Sequence, residues 1–197
     1  MTKGRIEAFS DGVIAIIVTI MVLELRPPKE WSLESLKPIV PTFLAYVLSF
    51  LNVGIYWNNN HHHLFQTVER VNGRVLWANL YVLFWLSLIP FATSWMGNSA
   101  FARTPVIVYG GVLIMSASAY YFMTKVLLAA HGPQSILAQA ISEAQKEKLS
   151  LLIYALSLVA AFYHPVVACL GYCIVALIWM IPDTRIETLL HSRNQSQ

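Results

Sequence analysis

The sequence predicts an all-α integral membrane protein with six transmembrane helices. Of its 197 residues, 57% are hydrophobic and 12% are charged, about half the charged share of a soluble globular domain. The apolar residues form runs long enough to span a bilayer, which takes roughly 20 mostly apolar residues per helix. We therefore interpret residues 1–197 as a single membrane domain, with predicted spans near 6–25, 39–62, 74–96, 104–128, 148–164 and 166–182.

Helix-terminating residues set the bounds of the first three predicted spans. Residues 26–28 (RPP) end the first span, because proline cannot continue a helix. The second span begins after residues 37–38 (KP) and runs into three consecutive histidines at 61–63. The polar stretch 69–74 (ERVNGR) then separates the second span from the third.

The last three spans follow from the distribution of charge. The fourth ends at Lys125 or shortly after, and a polar, helix-prone connector occupies 134–150 (QSILAQAISEAQKEKLS). No charged residue lies between positions 149 and 182. That length accommodates two helices of about 25 Å each, with His164 and Pro165 as the hairpin turn between them.

The arginines and lysines predict the orientation. Six spans place both termini on one side of the membrane, and nine basic residues share that side, whereas four lie opposite. Cytoplasmic loops carry an excess of Lys and Arg, so both termini are expected in the cytoplasm. The nine are Lys3, Arg5, Arg70, Arg74, Lys125, Lys146, Lys148, Arg185 and Arg193, and the four are Arg26, Lys29, Lys37 and Arg103.

The residue patterns do not favour an enzyme, a metal site or a bound cofactor. Histidines 61–63 are consecutive, and successive helical side chains diverge by about 100°, so three in a row cannot close on one ion. No Ser-His-Asp, HExxH or glycine-rich phosphate pattern is present. The net charge of +3 is too small to suggest a nucleic-acid partner.

One face of the first span carries a stripe at helical spacing. Its members lie within about 60° of Ile16 when each residue is stepped by 100°. Such a stripe is typical of an ordinary seam between helices, but equally of a helix that packs on symmetry mates or lines a narrow conduit. The stripe consists of Phe9, Gly12, Ile16, Thr19, Ile20 and Leu23.

Two polar residues of the first span point away from this stripe. Ser10 and Asp11 are expected to face the rest of the protein, where an ionised aspartate needs partners. A buried network with them would fix the tilt and rotation of the span. The candidate partners, at the same cytoplasmic depth, are Asn58, Asn59, His61 and His62, with Arg70 and Arg74 just beyond.

The start of the first span has a recognisable signature. Arg5 is followed by Phe9, Ser10 and Asp11, and Thr19 comes eight residues after the aspartate. This pattern resembles the transmembrane protein 175 family, the endolysosomal potassium channels and their prokaryotic members. The family's structural motif continues on the second span through Trp57, His61, His62 and Phe65.

The length of the chain also fits this resemblance. A chain near 200 residues with six spans is similar to the prokaryotic form, which has one six-helix unit where the animal proteins have two. The resemblance therefore implies a multi-pass protein of the cell membrane, and the single unit points to a bacterial plasma membrane.

The resemblance implies a potassium-permeable channel built as a homotetramer, with four copies of the first helix around the ion path. By position, the narrow apolar constriction falls on Ile16, with Ile20 and Leu23 as further rings. Thr19 matches the polar layer that prefers potassium over sodium. These residues are also members of the stripe. The implied partners are other copies of the chain, the lipid bilayer and the permeant K⁺, with no cofactor.

A channel of this kind differs from those with a carbonyl filter, because the chain has no TVGYG sequence. A ring of isoleucines is expected to gate by dewetting and to disfavour the more strongly hydrated sodium, so selectivity is expected to be modest. Glu24 either concentrates cations at the external mouth or pairs with Arg26 at the rim. Arg5 is expected to turn away from the pore towards Asp11.

Two other functions are compatible with six spans. A proton- or cation-coupled transporter needs an ionisable group near mid-membrane, whereas Asp11 and Glu24 lie near opposite ends of the first span. A membrane enzyme or scaffold subunit would have histidines 61–63 as its only plausible chemistry. Neither is favoured.

Overall fold

The computed structural model describes residues 3–60, 72–131 and 145–180, and every regular element in these ranges is helical. Predicted site residues His61 and His62, together with Phe65 and Arg70, lie outside the described residues. The elements are α1 (Lys3–Leu23), a 3₁₀ helix (Leu33–Ile39), α2 (Val40–Asn59), α3 (Gly73–Ser87), α4 (Ile89–Asn98), α5 (Arg103–His131), α6 (Gln145–Ala161) and α7 (Pro165–Met180).

Four helical stretches of the described chain are long and apolar enough to cross a membrane. They are Lys3–Leu23, Leu33–Asn59, Gly73–Asn98 and Arg103–Ala130, and they correspond to the first four predicted spans. The fifth and sixth predicted spans are occupied by α6 and α7, which have 17 and 16 described residues. Their described residues extend about 25 Å at about 1.5 Å per residue, and α6 begins and α7 ends where the described range 145–180 does.

The third predicted span is interrupted in its middle. Leu88 separates α3 from α4, and Pro90 occupies the first turn of α4. Proline has no amide hydrogen to donate to the carbonyl four residues earlier, and its ring clashes with that carbonyl. The third predicted span, 74–96, is therefore composed of two helices, α3 and α4, rather than one.

Helix α2 packs between two groups of helices. Helix α1 packs against α2, α3 and α4, whereas α6 and α7 pack against each other and against α5, with α7 also touching α2. Helix α4 approaches α2 closely because Gly97 has no side chain: a Cβ there would lie 2.6 Å from the Cα of Thr42. Helix α2 therefore lies between the two sides of the molecule.

The hairpin between α6 and α7 falls at the predicted position. Helix α6 ends at Ala161, and Pro165 begins α7. The His164 amide donates to the Ala160 carbonyl at 2.8 Å, which closes the turn. Proline is well suited to the first helical position, where its missing N–H is not needed.

Candidate functional site

Helix α1 has two faces with different surroundings. Its buried face packs on α2, α3 and α4 and consists of Ile6, Ser10, Ile14, Ile17 and Met21. The opposite face is exposed, with fractional exposures of 58% for Ile16, 44% for Ile20 and 76% for Leu23. Phe9, Gly12 and Thr19 are exposed as well. All six residues of the predicted stripe therefore lie on the exposed face of α1.

A groove runs beside this stripe. Helix α1 contributes Ile16 and Ile20 to its wall, Glu24 follows directly after α1, and α4 contributes Phe91 and Ser94. The groove passes the α3–α4 interruption, where Ser87 and Pro90 also line it. An apolar stripe and a partly polar groove thus lie side by side on one surface of the chain.

The hydroxyl of Thr19 is oriented by its own helix. It lies 2.9 Å from the Ile16 carbonyl and 3.0 Å from the Ala15 carbonyl, to which it donates. A threonine hydroxyl has one hydrogen and two acceptor lone pairs. Because the hydrogen is directed at the helix backbone, the lone pairs remain for the exposed side. This geometry offers an acceptor, which suits a cation.

The carboxylate of Glu24 is held by α4. Its Oε2 accepts a hydrogen bond from the Ser94 hydroxyl at 2.8 Å, and Ser94 in turn accepts one from the Asn98 amide at 3.1 Å. Both Glu24 and Arg26 are described, and they form no ion pair. Of the two predicted alternatives, the rim salt bridge is therefore not formed within the chain, because Ser94 binds the carboxylate instead.

Ser10 lies in the interior, on the face that the helical wheel predicts. It is fully buried, and its oxygen accepts a hydrogen bond from the Asn79 amide of α3 at 3.0 Å. Asn79 was not among the predicted site residues. The available signal was a lone amide within an apolar span, since polar side chains in such spans usually bond across helices.

Asp11 bonds to Trp57, which belongs to the predicted motif network. Its Oδ1 accepts a hydrogen bond from the Trp57 indole at 3.0 Å, and both side chains are exposed. The expectation that Asp11 is buried against Asn58 and Asn59 was wrong. Adjacent helical side chains diverge by about 100°, so Asp11 leaves the interior when Ser10 enters it, and the long indole reaches it along the surface. The hydrogen bond joins the two halves of the sequence motif.

Arg5 does not join this pair. It is exposed and forms no ion pair with Asp11. Six residues of helix separate the two side chains by about 9 Å along the axis and about 240° around it, which explains why the expected contact is missing.

A second polar cluster, also missed from the sequence, lies deeper in the bundle. The Thr93 hydroxyl of α4 is 2.7 Å from the Ser49 hydroxyl of α2, and Ser49 is 2.9 Å from the Tyr109 hydroxyl of α5. All three side chains are buried. Hydrogen bonds of this kind hold transmembrane helices together, so the cluster ties α4, and with it one wall of the groove, to α2 and α5.

The described part of the chain has no group of three His, Cys, Asp or Glu side chains placed to hold a metal ion. The candidate site consists of the apolar stripe, the acceptor oxygen of Thr19 and the carboxylate of Glu24.

Comparison with known proteins identifies the family. The family model "Endosomal/lysosomal potassium channel TMEM175" matches residues 5–90, from the first turn of α1 into α4. A potassium channel of Chryseobacterium sp. (strain P1-3) is 58% identical over 190 residues, which cover 96% of this chain and 98% of that protein. The human endosomal/lysosomal proton channel TMEM175 is 35% identical over 117 residues, or 53% of this chain and 23% of that one.

A solved structure agrees with this assignment. The crystal structure of a lysosomal potassium-selective channel TMEM175 homolog from Chamaesiphon minutus superimposes with a TM-score of 0.77 at 26% identity. The match covers 90% of this chain and 96% of that chain. The chain therefore belongs to the TMEM175 family.

Proposed function

We propose that this protein is a potassium-permeable cation channel, a homotetramer in which four copies of α1 surround a central pore. The observation that carries the proposal is the exposed stripe of α1. In this stripe, large apolar residues lie on both sides of the acceptor oxygen of Thr19. The potassium-channel names of the Chryseobacterium relative and of the Chamaesiphon structure support the choice of ion. Neither the site nor these relatives favour an enzyme.

The polar residues of this surface argue against simple contact with lipid. Isoleucine and leucine are as stable against lipid tails as against protein, but ionisable groups in a membrane usually face a bundle interior or a water-filled cavity. Glu24 lies in the groove beside the stripe. A tetramer gives Thr19 and Glu24 a central aqueous path, and lets α1 of a neighbouring copy pack in the groove of each chain.

Six spans per chain fit this assembly. Four described stretches are long enough to cross the membrane, and α6 and α7 form the remaining hairpin. The excess of basic residues then places both termini in the cytoplasm. The bacterial source of the two similar proteins supports a plasma-membrane location.

The physical mechanism follows from the order of residues along α1. Four Ile16 side chains form an apolar constriction that closes by dewetting, with Ile20 and Leu23 as wider rings. Sodium holds its hydration shell more strongly than potassium, so this constriction favours potassium modestly. The Thr19 oxygens replace part of the lost water. Glu24, held in place by Ser94, raises the local concentration of cations at the outer end.

A coupled transporter is the less favoured alternative. Such a protein needs an ionisable residue that is exposed alternately to the two sides of the membrane near its middle. Glu24 follows the last residue of α1, and Asp11, nearer the middle of the helix, lies off the stripe and the groove and is bonded to the Trp57 indole.

Potassium flux into liposomes reconstituted with the purified protein tests the proposal. Replacing Ile16 by Ala widens the constriction, and we expect flux to rise about tenfold, which corresponds to a barrier about 1.4 kcal/mol lower. Leu156→Ala is the matched control, because Leu156 is 62% exposed on α6 and distant from the stripe. Equal flux in the wild type and Ile16→Ala would contradict the pore assignment. A monomer in mild detergent would contradict the tetramer.

A further inference from the structure

A small cavity lies on the side of α2 that faces away from α1. It has a volume of about 30 Å³ and is lined by α2, α5, α6 and α7. A cavity needs about 10–15 Å³ to hold one water molecule, which then requires two to four polar partners. The polar lining includes Asn52, Glu147, Ser150 and Tyr154. The cavity is therefore large enough and polar enough for water.

Most polar groups around this cavity are paired with each other. The Tyr154 hydroxyl donates to Asn52 Oδ1 at 3.1 Å, and the Asn52 amide donates to the Leu48 carbonyl at 2.9 Å. The Trp179 indole donates to the Ser150 hydroxyl at 2.7 Å. These bonds link α2, α6 and α7 around the cavity.

Glu147 differs from these neighbours. Its side chain accepts a hydrogen bond from Thr124 of α5. Its Oε2, however, is buried and has no hydrogen-bond partner among the described residues. An ionised carboxylate with a buried, unpaired oxygen is costly, whereas a protonated carboxyl group carries much less charge to desolvate. The geometry therefore favours the protonated form.

The groups facing Glu147 act in opposite directions. Burial raises the pKa of its carboxyl group to about 7, although the Lys125 ammonium and the Thr124 hydrogen bond lower it. Lys125 lies 5.2 Å from the centre of the Tyr121 ring and forms no ion pair with Glu147. The other titratable groups of the described lining are the hydroxyls of Tyr56 (α2), Tyr120 (α5) and Tyr154 (α6), and α7 contributes none.

Helix α2 connects this cavity to the candidate pore helix. Tyr56 lines the cavity, and the next residue, Trp57, donates the hydrogen bond to Asp11 of α1. Glu147 precedes the fifth predicted span, which places it at the cytoplasmic side in the predicted topology. The end of α2 that lines the cavity is thus joined to α1 by a hydrogen bond.

We propose that Glu147 and this cavity form a proton-binding site through which cytoplasmic pH regulates conduction. Ionisation of Glu147 draws water to its unpaired oxygen, moves α2 away from α5 and α6, and changes the orientation of α1 through Trp57 and Asp11. The regulatory part of this inference rests on the proposed channel function. The proton site itself does not.

Two measurements on the purified full-length protein test the inference. In a planar bilayer, the potassium current is recorded while cytoplasmic pH is changed between 6 and 8, about one unit on either side of the Glu147 pKa. We expect the current to change at least about fivefold, the lower end of typical coupling between two sites. In infrared difference spectra over the same range, we expect the carbonyl band of a protonated carboxyl group to disappear as pH rises.

The matched variants isolate Glu147. Glu147→Gln is expected to hold the current at its pH 6 level throughout and to lack the infrared band. Lys125→Gln removes the nearby positive charge and is expected to shift the midpoint to higher pH, which provides a second test if Glu147→Gln does not fold. Glu34→Gln removes a carboxylate from the exposed 3₁₀ helix, and is expected to respond to cytoplasmic pH as the wild type does.

The outcomes are distinct. A current in Glu147→Gln that follows pH as the wild type does, or a Glu147 that is ionised throughout the range, would overturn the site. A titrating Glu147 with a pH-independent wild-type current would overturn the regulation. An absence of current at every pH would contradict the channel function and the regulation with it, while the infrared band would still decide whether the proton site exists.

Discussion

Ile16 and Ile17 are neighbours in the sequence but belong to opposite faces of α1. Ile17 is 4% exposed and packs inside one chain, whereas Ile16 is 58% exposed and lies at the groove. Both faces are apolar, so hydrophobicity alone does not distinguish them. The small and polar residues do: Ser10 on the buried face bonds another helix, and Thr19 on the exposed face bonds only its own. In a membrane helix, the partners of its few polar groups indicate what each face does.

The two faces of α1 are expected to differ most in how far a substitution lowers the free energy of unfolding. Ile17→Ala leaves a cavity inside the chain, and substitutions of this kind cost about 2–5 kcal/mol. Ile16→Ala removes atoms that touch little within the chain, and we expect a change within about 0.5 kcal/mol. Thermal unfolding of both variants in detergent measures the difference. Equal losses for the two would show that the exposed face is as tightly packed as the buried one.

A smaller effect is expected from the polar bond on the buried face. Asn79→Ala leaves the Ser10 hydroxyl buried without its partner, which costs about 1–3 kcal/mol. The double variant Ser10→Ala/Asn79→Ala removes both groups, and we expect it to lose less than the sum of the single variants. Stability measurements on the four proteins give the coupling energy. A coupling of zero would mean that this hydrogen bond does not hold α1 to α3.

The smallest effect on stability is expected from the hydrogen bond between Trp57 and Asp11, which lies between the buried and the exposed face of α1. Trp57→Phe removes the hydrogen bond to Asp11, and because both side chains are exposed we expect a loss of about 0.5–1 kcal/mol. Flux in liposomes should nevertheless change, since this bond helps to set the rotation of the stripe. Trp77→Phe, at a residue 73% exposed on α3, is the control. Unchanged flux in Trp57→Phe would separate this bond from conduction.

Periodicity predicted the part of the site that depends on a single helix. Positions three and four apart share a face in any helix, so the stripe on α1 follows from the sequence alone. Which side chains meet across helices depends on packing, and no local pattern contains that information. For this reason Asn79 was missed, and the predicted motif network contained Asp11 and Trp57 without identifying the direct bond between them. The wheel gives the direction in which a side chain leaves its helix, but not how far a tryptophan reaches.

The same distinction holds for the fold. Charge and length predicted the first four spans and the α6–α7 hairpin, because these follow from composition along the chain. The interruption at Leu88 depends on how one proline is accommodated, which is a property of the assembled bundle.

The hydroxyl of Thr19 has a further consequence for which ions can pass. An anion in a dehydrated passage needs hydrogen-bond donors to replace its water, and a hydroxyl whose hydrogen is directed at its own backbone supplies none. In the proposed tetramer, the polar layer would present four oxygen atoms and no free hydrogen. Chloride would therefore meet an unfavourable electrostatic surface at the point where potassium finds ligands, so that charge selection would arise from the direction of one O–H bond in each chain.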